Sequence, residues 1–243
     1  MLRRSLSAAV IAAVVCWALG AVPATSGQTV DEIIARNLQA KGGLERMRAI
    51  QTVKQTRRFN LQGMEAPVVV YSKRPNLVRQ EISTGGRLVV MAFDGVTPWV
   101  VNPHTGSSAA IAVMGPQADS IRMDADFDGP LVDYRAKGTV IDLVGTETLG
   151  KTKVFHLKLT SRTGVVQHYY VDAATSLEVK LATETDTGTV EQELSDYREV
   201  EGIKIPFLVR TLANGVVQSE TRVEKVEFNV RMDDAIFRMP KGQ

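Results

Sequence analysis

The chain has 243 residues, 44% of them hydrophobic, with 29 Lys and Arg against 27 Asp and Glu and a single cysteine. That length and apolar content are enough for a domain with a sizeable core. The near balance of charge, without a run of five like charges, argues against nucleic-acid binding, which leans on clustered Lys and Arg. One cysteine excludes an intramolecular disulfide.

Residues 1–24 read as a cleaved secretory signal peptide. Arg3 and Arg4 form a positive n-region, Leu6 to Gly20 is apolar, and Ala21-Val22-Pro23-Ala24 offers small residues for cleavage. An uncleaved anchor is the alternative, although the apolar run is short for a spanning helix. Val15 in front of Cys16 does not suit lipidation of that cysteine. Removing the leader takes away Arg3, Arg4 and Cys16 and leaves 27 basic against 27 acidic residues. Residues 25–243 are then expected to form one domain.

Thr29-Val30-Asp31-Glu32 fits a capping box, and the helix it opens carries Val30, Ile33, Ile34 and Leu38 on one stripe before Gly42-Gly43. A shorter helical piece follows from Leu44 to Ile50. One apolar stripe per helix has to lie on something, and a sheet is the available surface.

Strands are expected from about Thr52 to Ala112. Within Met64 to Pro103, four runs rich in Val, Ile, Phe, Tyr and Trp are broken by Arg74-Pro75-Asn76, Ser83-Thr84-Gly85-Gly86 and Asp94-Gly95, the spacing of consecutive antiparallel strands. Val68 to Tyr71 and Leu88 to Phe93 are apolar at both parities, which predicts cover on both faces. Gly115 to Lys137 has no period of two. It reads as loop with one or two helical turns, the clearer starting at Pro130, placed where a lid would be inserted.

Alternation resumes at Thr139, with Phe155, Leu157 and Leu159 facing one way and Lys153, His156 and Lys158 on or beside the polar side. Thr185-Asp186-Thr187-Gly188 and Asn214-Gly215 mark hairpins, and a parity switch near Glu224-Lys225 predicts a β-bulge. The expected fold is mainly β. It is a strongly curved, incompletely closed antiparallel barrel of about eleven strands, with an N-terminal helix and a helical lid insertion over the concave face.

Several short elements in this order resemble the outer-membrane lipoprotein carrier family, the LolA-like proteins. They are Lys73-Arg74-Pro75-Asn76, then Asp94-Gly95 with Thr97 and Trp99, then Asn102-Pro103, and finally Phe237-Arg238-Met239-Pro240. Asp126 to Tyr134 resembles a further segment common among such proteins. The family's lysine and aromatic are Val96 and Val101 here. The resemblance implies the same architecture, with the N-terminal helix across the open side of the sheet. It also implies that Arg74 latches a lid by bonding loop carbonyls until lipid displaces it, a use suited to its five fixed donors. From the residues alone, a turn arginine snorkelling to water explains Arg74 equally well.

Tyr71, Met91, Phe93, Trp99 and Val101 are candidate cavity-lining residues, because Met and large aromatics adapt to variable acyl chains. Core packing is the competing role for each. Asp124, Asp126 and Asp128 match the first half of a calcium loop, but Arg135 stands where the bidentate Glu belongs, so a solvated acidic loop is the simpler account and no metal is expected. His104, His156 and His168 lack zinc-ligand spacing. No nucleophile elbow or phosphate-binding loop is present, and neither an enzyme nor a cofactor is expected.

The expectation is a monomeric periplasmic carrier that shields the acyl chains of a lipoprotein or lipid. By resemblance its partners are an inner-membrane release complex and an outer-membrane acceptor. A periplasmic sensor that binds lipid or lipoprotein and signals through a partner is the alternative. A carboxylate hydrolase is a third possibility.

Overall fold

A computed structural model describes residues 28–240; the expected signal peptide lies outside the described residues. Helices α1 (Val30–Ala40) and α2 (Leu44–Ala49) come first. Six strands follow: β1 (Thr52–Leu61), β2 (Met64–Lys73), β3 (Leu77–Thr84), β4 (Arg87–Phe93), β5 (Pro98–Val101) and β6 (Ile111–Ala112). Helix α3 (Gly115–Asp124) and an irregular crossover lead to β7 (Val140–Leu149), β8 (Thr152–Thr160), β9 (Val166–Asp172) and β10 (Glu178–Thr185). The series closes with β11 (Gly188–Val200), β12 (Ile203–Ala213) and β13 (Val216–Phe228).

All thirteen strands belong to one antiparallel sheet in the order β6-β5-β4-β3-β2-β1-β13-β12-β11-β10-β9-β8-β7. The first strand pairs with the last, which joins two meanders into one surface. The edge strands β6 and β7 do not pair with each other, so the barrel is open. The count exceeds the expected eleven; β6, with two residues, is too short to leave a periodic signal. Bends come from bulges. At the β1–β13 seam Thr56 faces Lys225 and Arg57 faces Val223, so Glu224 is the extra residue, at the parity switch in the sequence. Further register shifts lie at Leu143/Gly145, Glu178/Lys180 and Thr211/Leu212. Asn214 and Gly215 both take positive φ, 51° and 77°, as a two-residue hairpin turn matching strand twist requires.

The capping box forms: Thr29 N donates to Glu32 Oε2 at 2.8 Å and Glu32 N to Thr29 Oγ1 at 3.3 Å. α1 buries Ile33 and Ile34 against Leu157, Leu159, Tyr169 and Val171, together with Leu131 and Tyr134 of the crossover. Burying each such side chain contributes about 1.5–3 kcal/mol. The α1–α2 corner passes so close to the β11–β12 turn that a Cβ on Gly42 would sit 2.3 Å from the Gly202 carbonyl. Only glycine fits there.

α3 covers the other half of the concave face, placing Ile121 and the following Ala125 against Val68, Val70, Val78, Phe93 and Val100. This helix corrects the expected boundaries: the regular turns run from Gly115 to Asp124, and the segment after Pro130 is made of turns. Only Ala118 and Ile121 of α3 are buried, so its apolar stripe is too thin to stand out in the sequence. On the convex face the C-terminal segment covers β4 and β5. Trp99 and Phe237 are fully buried, and Trp99 Nε1 donates to the Phe237 carbonyl at 2.8 Å.

Candidate functional site

Between α3 and the concave face of β10 and β11 lies a cavity of about 520 Å³. Pro116, Met123, Val165, Leu181 and Val190 supply its apolar walls. Ser120, Thr183, Thr185, Thr187 and Gln192 supply neutral polar groups, and Asp119, Asp124, Glu184 and Asp186 lie along it. The volume falls within the roughly 300–1,000 Å³ usual for small-molecule sites. Strand parity explains the lining: Leu181 pairs with Tyr169 and Gln192, and Thr183 with Gln167 and Val190, all on the face that α1 and α3 cover.

Arg74 sits where β2 turns toward β3, beneath α2 and the crossover. Its Nε donates to the Ile50 carbonyl at 2.6 Å and its Nη2 to the Met47 carbonyl at 3.0 Å. Nη1 and Nη2 grip both carboxylate oxygens of Asp128 at 2.5 and 2.7 Å, and the guanidinium lies 4.5 Å from the centre of the Phe127 ring. One side chain thus ties the C-terminal end of α2 to the crossover that continues α3. The arginine lies outside the cavity walls.

The five expected lining residues divide between the two faces. Met91 and Phe93 pack beneath α3. Trp99 and Val101 lie on the opposite face, opposed by Ala92 and Val90 and covered by the C-terminal segment. Tyr71 pairs with Arg79, which pairs with Ala92, so it shares that convex face and lines a shallow groove against Met232, Ile236 and Met239. The five do not form a single lining, because successive strand residues alternate sides. The cavity beneath α3 is walled by residues of α3, β10 and β11 and by Val165, none of which the sequence pattern offered as lining.

The acidic loop is split between two cations. Lys137 Nζ holds both Asp126 oxygens at 2.6 and 2.7 Å and Arg74 holds Asp128, while Asp124 is exposed at the end of α3. Elsewhere Asp94 Oδ1 accepts from Val96 N at 2.9 Å and Thr97 N at 2.7 Å, and Asn102 Oδ1 accepts from His104 N at 3.1 Å. These motif residues cap turns.

Sequence spacing left His156 and His168 isolated, yet the sheet joins them. Glu147 Oε1 meets His156 Nδ1 at 2.5 Å, His156 Nε2 meets His168 Nδ1 at 2.7 Å, and His168 Nε2 meets Glu184 Oε1 at 3.0 Å. Tyr170 stacks on His156 with ring centres 4.5 Å apart. Pairing of Lys158 with His168 sets the two histidines on a cross-strand diagonal, a relation readable only once the register is known.

By sequence, no family model and no curated protein matches the chain. By shape, it is similar to a DUF1329 family protein from Desulfovibrio piger, with a TM-score of 0.61 and 14% identity over 86% of this chain and 97% of that one. A LolA superfamily protein from Nitrosomonas europaea gives a TM-score of 0.59 and 16% identity over 87% and 98% of the two chains. The chain has a LolA-like fold. A domain from Vibrio parahaemolyticus, provisionally described as an outer membrane lipoprotein-sorting protein, shares this LolA-like architecture at a TM-score of 0.61, with 11% identity over 85% and 94% of the chains. Identities this low establish the fold alone. Among the described residues no helix is long and apolar enough to cross a membrane.

Proposed function

We propose that residues 25–243, once the leader is cleaved, form a single-domain periplasmic carrier that holds acyl chains of a lipoprotein or lipid and ferries them toward the outer membrane. The observation that carries this reading is the 520 Å³ cavity between α3 and the concave sheet, walled by Met123, Leu181, Val165 and Val190. Each methylene moved from water into such a site gains about 0.8 kcal/mol, so acyl chains need an escort across an aqueous compartment. The role asked of the site is burial, and it needs no metal, cofactor or catalytic group. Arg74 serves as the latch, since its bonds to Met47, Ile50 and Asp128 join the elements that must part for α3 to move. The carrier acts as a monomer between an inner-membrane release complex and an outer-membrane acceptor.

Native mass spectrometry of the mature protein, beside an Arg74→Leu variant, tests this. Co-purifying acylated cargo whose retention changes in the variant supports the carrier. Protein free of cargo, unable to take up an acylated peptide and indifferent to the substitution, sinks it.

A second reading, a lipid-responsive sensor, draws on a separate feature. Leu61, Met64, Val216 and Val217 form an exposed apolar rim at two adjacent hairpin tips, with Met64 69% and Val216 62% exposed. A sensor would use such a rim to hold a partner protein. Capture of a periplasmic partner that Met64→Asp abolishes, without cargo transfer between vesicles, would favour it.

A further inference from the structure

The apolar rim of the β1–β2 and β12–β13 tips continues around one end of the barrel. Alternate turns of an antiparallel sheet lie at the same end, so the β3–β4, β8–β9 and β10–β11 tips share it, and β7 starts there because Val140 pairs with Thr160. Leu61, Met64, Leu88, Val140, Val216 and Val217 are all exposed on this rim. The turns at the opposite end expose one large apolar side chain, Val96. Apolar exposure grouped in this way marks a surface that meets another. The cavity beneath α3 reaches the same end, since Val165, Thr185, Asp186 and Thr187 of the β8–β9 and β10–β11 tips belong to its wall.

Charge on the rim leans positive. Turn residues 62–63, 84–87, 161–165, 186–187 and 214–215 include Arg87 and Arg162 against the single acid Asp186. Both arginines are exposed, and among the described residues neither belongs to an ion pair. Two acids next to the tips are already engaged, Glu65 with Arg58 at 3.6 Å and Glu184 with His168 at 3.0 Å. The apolar side chains stand on separate tips and line no common groove. A folded partner would need a matching hollow for each of them, whereas a fluid bilayer moulds to them all. We propose that this rim docks on an anionic phospholipid bilayer, with the apolar tips entering the headgroup layer and Arg87 and Arg162 meeting lipid phosphates. Binding of this kind grows with the apolar area inserted and with attraction to anionic lipid. It names the surface at which the carrier site loads and rests on that reading. A bilayer on the rim faces the cavity entrance, so an acyl chain passes between them with least exposure to water.

Co-sedimentation of the mature protein with vesicles of phosphatidylethanolamine and phosphatidylglycerol tests this, beside vesicles of phosphatidylcholine alone. The wild type should bind both and prefer the anionic ones. Met64→Asp combined with Val216→Asp should weaken binding to both by about ten-fold or more, while Val96→Asp, at the opposite end, should change nothing. Arg87→Gln should lower binding to the anionic vesicles about five-fold and leave the neutral ones alone. Brominated lipid should quench the new fluorophore of Met64→Trp and not that of Val96→Trp. Absence of vesicle binding by the wild type overturns the docking, as does an equal loss in Val96→Asp; a periplasmic protein held by the rim in place of lipid has the same force. Should the double aspartate variant not fold, Met64→Trp decides, and no quenching there overturns the docking. Uptake of a fluorescent fatty acid from solution separates this from the carrier reading. Uptake without vesicle binding sinks the docking and leaves the carrier standing, and no uptake fails the carrier itself.

Discussion

The two covers of the concave face are built differently. α1 has a capping box, two buried isoleucines and several ties to the body. Asn37 Nδ2 donates to the Ser176 carbonyl at 2.8 Å, Lys41 Nζ to Glu178 Oε1 at 2.9 Å, and Arg135 grips Asp31. α3 has no side-chain N-cap, buries only Ala118 and Ile121, and leaves Met114 89% exposed beside it. Local opening free energies follow buried contact and backbone protection, so α1 is the fixed wall and α3 the movable one. The cavity that α3 borders opens on the α3 side.

The contrast can be broken most directly by truncation. Leu157→Ala, on the α1 side, removes a side chain with no exposure and should cost about 2–5 kcal/mol of global stability in urea unfolding. Ile121→Ala should cost clearly less globally and instead speed hydrogen exchange in Gly115–Asp124. Equal global costs, with exchange unchanged, would erase the distinction.

Lys41→Met should cost about 3 kcal/mol, because it leaves Glu178 buried without its cation. Acid sharpens the same point. Burial raises the Glu178 carboxyl, but Lys41 and nearby hydrogen bonds outweigh it and hold the group below its ordinary 4.5. A depressed carboxyl stabilises the fold above the unfolded value and loses that contribution as pH falls through the folded one. Denaturation of the wild type should therefore show a stability loss below about pH 4.5, and in Lys41→Met, where burial acts without its main opponent, that loss should shrink, so the variant's deficit narrows as pH falls.

Arg74→Leu should cost about 1.5–3 kcal/mol, the range for hydrogen bonds to charged groups. Its exchange signature should appear in α2 and residues 125–138, leaving α1 protected. Faster exchange spread evenly over the chain would make Arg74 a general brace and remove the latch. Thr29→Ala, which deletes the α1 cap, should cost about 1 kcal/mol by thermal unfolding and leave α3 exchange alone.

Much of the local structure was legible because it depends on neighbours in the chain. Thr29 and Glu32 are three residues apart, Asn214-Gly215 is a turn in two residues, and Glu224 betrays its bulge by a change of parity. Apolar residues at both parities of Leu88 to Phe93 foretold cover on both faces of β4, and Val90, Ala92 and Phe93 are all buried. Candidate site residues were harder. Alternation shows that Met91 and Trp99 lie on opposite sides only when β4 and β5 are aligned, and alignment depends on the loop between them. α3 went unresolved because a helix held by two buried side chains has little periodicity to show.

By itself the sequence determined a curved antiparallel sheet with helices set against it, since strand period, turn chemistry and capping act over a few residues. Only the tertiary structure decided which face is concave, that β1 closes on β13, and that Asp126 and Asp128 answer to different cations. It also set His156 beside His168. Those relations join residues from about ten to more than a hundred positions apart, where register and packing choose partners that local pattern cannot.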